Sequence, residues 1–315
     1  MRILTKPRIL AVCVVCVFGD VSAQGPAWQP SPGHKQLQIW PETPPHAQPP
    51  SAAETATTRL NDHLVAGSPW TYVSNVSQPT LTVYSPERGN TGAAVVVFPG
   101  GGYQILAIDL EGTEVCDWLT SRGITCVLLK YRVPNSGENW DQPCGCDRNT
   151  RSSMPLEDAQ RTIGLVRFHA AEWHIDPDKI GVLGVSAGGH LAAMISTRFD
   201  QRVYPLVDDA DRATCRPDFA VVLYPGHLFL RATSGMNPDI RVTSNTPPTF
   251  LLHAHDDKVD DVRNWLLYYD ALRDADVPAE LHVYPTGGHA FGLRQAELPT
   301  TSWPRLAETW LQSIG

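Results

Sequence analysis

From residue 80 onward, short apolar runs alternate with longer mixed segments: Thr80-Leu-Thr-Val-Tyr84, Ala93-Ala-Val-Val-Val-Phe98, Ile124-Thr-Cys-Val-Leu-Leu129, Ile180-Gly-Val-Leu-Gly-Val185, Phe219-Ala-Val-Val-Leu-Tyr224, Thr249-Phe-Leu-Leu-His253 and Ala279-Glu-Leu-His-Val-Tyr284. Several are apolar on both faces, the pattern of parallel strands that helices cover from two sides. The pieces between them predict helices over about 110–122, 157–173, 187–198, 261–275 and 303–313. In 157–173, Ala159, Ile163, Val166 and Ala170 recur at three- and four-residue spacing and form a core-facing stripe. This alternation predicts an α/β fold: a three-layer α/β/α sandwich on a mostly parallel sheet, with an antiparallel start from strands near 37 and 80. No internal repeat is evident.

The ends of this pattern differ in kind. Arg2, Lys6 and Arg8 precede the apolar run Ile9–Phe18, and Val21-Ser22-Ala23 follows with small residues, which reads as a signal peptide over 1–23 and a secreted or periplasmic protein. The run is too short to span a bilayer. Residues 24–56, with Pro44-Pro45 and Pro49-Pro50, read as an extended arm, and 57–315 as one folded domain. Two aperiodic stretches, Val133–Pro155 and Gly226–Pro248, are candidate substrate walls, because loops at the carboxyl ends of parallel strands border the ligand crevice. Neither is long enough for a large helical lid.

The chain has 315 residues, 42% of them hydrophobic, and a formal net charge of -8, which becomes -10 without the first 23 residues. Such an acidic protein is a poor partner for nucleic acid or an anionic membrane, which reward clustered Lys and Arg. Beyond the leader stand Cys116, Cys126, Cys144, Cys146 and Cys215, an odd number that leaves at least one free or paired between chains. The expected arrangement is a Cys144–Cys146 loop pinned to Cys215 by one disulfide, with a metal site as the weaker alternative for want of a second close pair. Oligomeric state is not legible.

Gly184-Val185-Ser186-Ala187-Gly188 joins a predicted strand to a predicted helix. Small residues flank the serine because the turn is sharp and lifts its Oγ above the sheet, so Ser186 is the candidate nucleophile. A hydroxyl needs a base to take its proton. His289, after the last strand and behind Gly287-Gly288, is that candidate; His190 inside the following helix and His282 inside a strand have milder readings. The acid that orients the imidazole comes from His253-Ala-His-Asp256-Asp257-Lys-Val259, with Asp257 favoured and Asp256 left as the alternative. His253 and His255 beside these acids raise a metal reading, but no water-activating metal is needed once a serine nucleophile is present. For the oxyanion, Pro99-Gly100-Gly101-Gly102 supplies the amides of Gly101 and Gly102, and Ala187 supplies the one after the nucleophile. Tyr103 is a candidate for the acyl pocket.

Together with Glu111-Gly112, Leu129-Lys-Tyr-Arg132, Leu156-Glu-Asp-Ala-Gln160 and Gly287-Gly-His-Ala-Phe291, these segments resemble the α/β-hydrolase superfamily over roughly 75–313. The likeness is to the esterase/lipase-like branch with secreted acetylxylan and feruloyl esterases. Pro99 stands where many hormone-sensitive-lipase-like relatives carry histidine, a form usual in the xylan-esterase-like branch. The resemblance implies a cofactor-free serine esterase with Ser186, Asp257 and His289 as its triad and Gly101, Gly102 and Ala187 as oxyanion donors. The expected partner is a small-molecule or polysaccharide ester, an acetylated carbohydrate first. A short-chain or feruloyl-type carboxylesterase comes next, then a serine peptidase or a non-catalytic binding protein on this scaffold.

Overall fold

The computed structural model describes residues 22–24, 27–61, 63–136, 140–141, 146–147 and 153–315; the leader before Ser22 and Cys144 lie outside them. Eight strands form the central sheet: β1 (Gln36–Gln38), β2 (Thr80–Tyr84), β3 (Ala94–Phe98), β4 (Thr125–Lys130), β5 (Ile180–Val185), β6 (Ala220–Leu223), β7 (Thr249–Ala254) and β8 (Ala279–Tyr284). Their order is β8-β7-β6-β5-β3-β4-β2-β1. All neighbours from β8 to β4 run parallel, and β2 and β1 are antiparallel. Every residue of β3, β4, β5, β6 and β7 is buried, which is why these runs carry no polar alternation.

Among the described residues five α-helices flank the sheet: α1 (Glu114–Ser121), α2 (Ser153–Phe168), α3 (Ala187–Thr197), α4 (Arg263–Asp274) and α5 (Trp303–Ser313). Strand register separates two of them. Leu183 of β5 aligns with Val221 and Phe250, and Phe250 meets Trp310 of α5 at 5.7 Å between ring centres. The next residue, Gly184, faces Ala192 of α3, so alternation along β5 puts α3 and α5 on opposite faces. Trp303 of α5 packs on Trp118 of α1, joining those two helices. Helix α2 begins earlier than its apolar stripe predicts and ends at Phe168, so Ala170 is buried in the turn beyond it. Pro155 fits within its first turn, where backbone N–H groups have no helical acceptor.

The arm lies on the core through buried arginines. Arg132 donates to Asp158 and Glu157 of α2 and to the Pro45 carbonyl (2.5 Å). Trp40 Nε1 donates to Asp158 Oδ1 at 2.8 Å, and Arg161 donates to the Ile39 carbonyl at 2.8 Å. The family-like segments around 129–132 and 156–161 thus have a structural task here.

A second, antiparallel sheet was not expected: Ser22–Gln24, Thr55–Arg59, Trp70–Ser74 and Ile105–Leu106. The stretch 226–248, read as irregular, holds a short antiparallel pair, Phe229–Leu230 with Gly235–Met236. The cysteine expectation is corrected. Cys116 of α1 is bonded to Cys126 of β4, while Cys215 is free and buried, its Sγ 3.2 Å from the Phe199 carbonyl oxygen. The two are paired because the helix and the strand it precedes pack directly on each other, a tertiary proximity that spacing does not reveal.

Candidate active site

Strand β5 ends at Val185 and α3 begins at Ala187, leaving Ser186 alone on the turn with φ 53° and ψ -118°. A side chain at positive φ is strained, and such strain persists only where the surroundings over-determine it. Here Ser186 N donates to Leu223 O of β6 (3.0 Å), and Ser186 O accepts from His190 N (3.0 Å). The turn is closely packed: a Cβ on Gly184 would lie 1.9 Å from Gly188 O, and one on Gly188 would lie 1.9 Å from Phe98 O. Only glycine fits at either position, which is the physical content of the motif.

The loop after β8 carries His289 to this serine. Ser186 Oγ lies 2.9 Å from His289 Nε2, and His289 Nδ1 lies 2.6 Å from Asp257 Oδ2. These partners place the ring proton on Nδ1, donated to the carboxylate, and leave Nε2 to accept from the hydroxyl. Asp257 is oriented in turn by the amides of Val259 (2.8 Å) and Asp260 (3.1 Å), both donating to Oδ1. The two adjacent acids therefore separate by position: Asp257 meets the imidazole, and Asp256 accepts from Gly288 N at 2.8 Å, pinning the histidine loop. His253 stands behind Asp257, with Nε2 3.4 Å from its Oδ2 and 3.2 Å from Asp260 O.

Burial lowers the His289 pKa, but the Asp257 hydrogen bond and the charges of Asp260, Asp257 and Glu111 outweigh it and hold the imidazole above its usual value. Burial opposes ionisation of Asp257, yet His289 and the Asp260 and Val259 amides hold that carboxyl below its usual range. The site favours a carboxylate beside a readily protonated imidazole.

The glycine loop lies against the serine: a Cβ on Gly100 would be 2.8 Å from Ser186 Cβ. The amides of Gly101, Gly102 and Ala187 donate to no acceptor among the described residues. The loop is held from behind. Gly101 O accepts from Gln104 N and Ile105 N, Gly100 O accepts from Ala107 N, and Tyr131 OH donates to Pro99 O at 2.6 Å. The second sheet pairs Ile105 and Leu106 with Ser74 and Val73, so it braces the same turn. Tyr103, at φ 58°, places its hydroxyl 2.7 Å from His190 Nδ1 and its ring 5.9 Å from that of His227. His190 is buried, so its milder reading fits its place under Tyr103 rather than over the serine oxygen.

Three residues at the site escaped the sequence reading of roles. Glu111 is fully enclosed; Oε2 accepts from Gly100 N (2.8 Å) and Oε1 from Tyr224 OH (3.1 Å). Burial pushes its pKa up against the pull of the His289 charge. Tyr224 touches His289 edge-on at 5.1 Å and accepts from Gly292 N, so this network ties the glycine loop to the histidine loop. Asp260 lies with Oδ2 3.8 Å from His289 Nε2. Glu111-Gly112 was already among the family-like segments, but nothing local marked Tyr224 or Asp260.

Comparison with known proteins gives a consistent picture. A family model described as alpha/beta hydrolase fold matches residues 149–293, and one described as BD-FAE matches 81–214. An acetylxylan esterase of Xylanibacter ruminicola is 30% identical over 266 residues, covering 77% of this chain and 48% of that protein. An endo-1,4-beta-xylanase B of Butyrivibrio fibrisolvens is 27% identical over 237 residues, covering 70% of this chain and 35% of that protein. The chain thus spans about half or less of the length of these curated relatives. The crystal structure of an acetyl ester-xyloside bifunctional hydrolase from Caldicellulosiruptor lactoaceticus superposes with a TM-score of 0.66 at 34% identity, covering 89% of this chain and 96% of that one.

Proposed function

The chain belongs to the alpha/beta hydrolase family, in its esterase-like branch, and from that premise we propose that it is a serine carboxylic-ester hydrolase that removes acetyl groups from carbohydrates. The observation that carries the chemistry is the contact of Ser186 Oγ with His289 Nε2 at 2.9 Å, backed by Asp257 at 2.6 Å. The carbohydrate side rests on the similarity to the acetylxylan esterase and the acetyl ester-xyloside hydrolase.

In this reading His289 takes the Ser186 proton as Oγ attacks the ester carbonyl. The amides of Gly101, Gly102 and Ala187 receive the negative oxygen at the start of α3, where the helix dipole adds to their effect. His289 then protonates the departing alcohol and the acetyl group remains on Ser186. Water, deprotonated by the same imidazole, releases acetate and restores the serine. Asp257 holds the ring in the required tautomer and stabilises its cation. None of these steps calls on a cofactor.

The test is acetate release from acetylated xylan, acetylated xylo-oligosaccharides and a short aryl acetate, wild type against Ser186→Ala. Serine-dependent release with the higher kcat/KM on the xylan-derived substrates is expected. Turnover confined to the aryl acetate would replace the carbohydrate assignment with a general carboxylesterase, and Ser186→Ala at wild-type rate would refute the nucleophile. Export completes the proposal: residues 1–23 act as a signal peptide, and the Cys116–Cys126 disulfide suits an oxidising compartment.

A further inference from the structure

Asp260 stands at the centre of the site, lending its charge to His289, but its carboxylate oxygens have no hydrogen-bond task there. Its backbone is engaged, N donating to Asp257 Oδ1 and O accepting from His253 Nε2. Its two side-chain oxygens accept no hydrogen bond from any described residue, although only 19% of the side chain is exposed. His289 Nε2 stands 3.8 Å from Oδ2, beyond hydrogen-bond length and already committed to Ser186 Oγ. On the other side stands Gly226, where a Cβ would lie 2.6 Å from Asp260 Oδ1; the missing side chain leaves the carboxylate room. Gly226 N in turn is 3.4 Å from Ser186 O. The group is therefore bracketed by the serine turn and the base, and burial pushes its pKa up to about 6.

A half-buried acceptor without a donor is costly unless a ligand or solvent supplies one. The reaction geometry says which ligand group is in reach. The alcohol oxygen that leaves must come to hydrogen-bond distance of His289 Nε2, and Asp260 Oδ2 is 3.8 Å from that same nitrogen. A hydroxyl on the carbon next to the ester-bearing carbon is the substrate group close enough to the leaving oxygen to reach across this gap.

We propose that Asp260 is the specificity-determining residue of the alcohol subsite, accepting a hydrogen bond from a free hydroxyl vicinal to the ester. The ligand class is thus a monoester of a vicinal diol, as in a partly acetylated sugar ring, and a neighbour already acetylated or methylated is disfavoured. This rests on the proposed esterase reading and sharpens its substrate.

The experiment compares 2-hydroxyethyl acetate with 2-methoxyethyl acetate, which differ only in that donor, in wild type, Asp260→Ala and Asp260→Asn. Rates are normalised to the Ser186 sites labelled by an organophosphonate, so unfolded variant is not counted. The expected kcat/KM ratio, hydroxy over methoxy, is about tenfold or more in wild type, the size of a hydrogen bond to a charged group. It falls to near one in Asp260→Ala and between the two in the shape-preserving Asp260→Asn. A wild-type ratio near one, or an undiminished ratio in Asp260→Ala, overturns the proposal. Failure of the carbohydrate reading has a different signature: the glycol esters are discriminated while acetylated xylo-oligosaccharides release nothing.

Discussion

Ser186 and its partners show how much of a site three residues decide and how much their surroundings do. In the proposed mechanism the imidazole must be neutral to take the serine proton, and the Asp257 hydrogen bond and nearby carboxylates hold the His289 pKa above its ordinary value. Activity is therefore absent while the ring is protonated and rises as pH increases through that raised pKa, so the acid limb of kcat/KM should lie above the ordinary histidine value. Asp257→Asn removes a charge and turns an amide donor toward Nδ1, favouring the wrong tautomer, which should move the limb to lower pH while kcat falls by on the order of 10^4. A pH–rate profile of the two proteins checks this; a limb that stays put would assign it to another group. Ser186 and His289 were legible because a strained turn and a glycine-freed loop impose local composition. The choice between Asp256 and Asp257 was only favoured from sequence, since neighbouring carboxylates look alike until one meets Nδ1 and the other a Gly288 amide. Asp260 was invisible as a site residue because its role depends on Gly226, far away in sequence.

The central strands were readable to within a residue or two because a strand buried on both faces must be apolar throughout, and few other segments meet that demand. The second sheet was not: Thr55–Arg59 is polar at most positions and Ile105–Leu106 is two residues long, so neither carries a periodic signal. Between elements, a buried polar joint is formed by Arg132 of the segment after β4 with Glu157 and Asp158 of α2, all with side chains at 1% exposure or less. Removing the cation leaves Asp158 with only the Trp40 N–H and the backbone N–H of residue 132, and Glu157 with only the exposed His46, to offset their burial. Arg132→Met should destabilise the fold by about 3–5 kcal/mol, and urea unfolding measures it. A loss under ~1 kcal/mol, the size of an exposed pair, would mean that the joint is solvated. The arm contributes Trp40 and Pro45 to this joint, so the same substitution should also loosen residues 40–45, seen as faster amide exchange there.

Across the whole molecule, elements distant in the chain converge where the parallel strands end. The β3 loop supplies the glycines, the β5 turn the serine, the β7 loop the acids and the β8 loop the histidine, while Arg294 donates to Glu114 and to Ser68 O and draws the 64–68 segment toward the histidine flank. The export proposal belongs at this scale. Protein recovered from an exporting host should begin after Ala23, by mass spectrometry, with Cys116 and Cys126 alkylated only after reduction. Ser22 and Ala23 pair with Arg59 and Thr58, so cleavage there leaves only Gln24 of that short strand in the second sheet. A retained leader on the exported protein would defeat the signal-peptide assignment. By itself the sequence determined the α/β architecture and the strand–turn–helix that carries Ser186, ahead of Asp257 and His289 in the chain, because burial and a strained turn restrict which residues can stand at each place in a local stretch. Only the tertiary structure decided which cysteines are bonded, which aspartate meets the imidazole, what braces the glycine loop and which carboxylate stands near His289 Nε2, because these depend on distances between segments that no local pattern encodes.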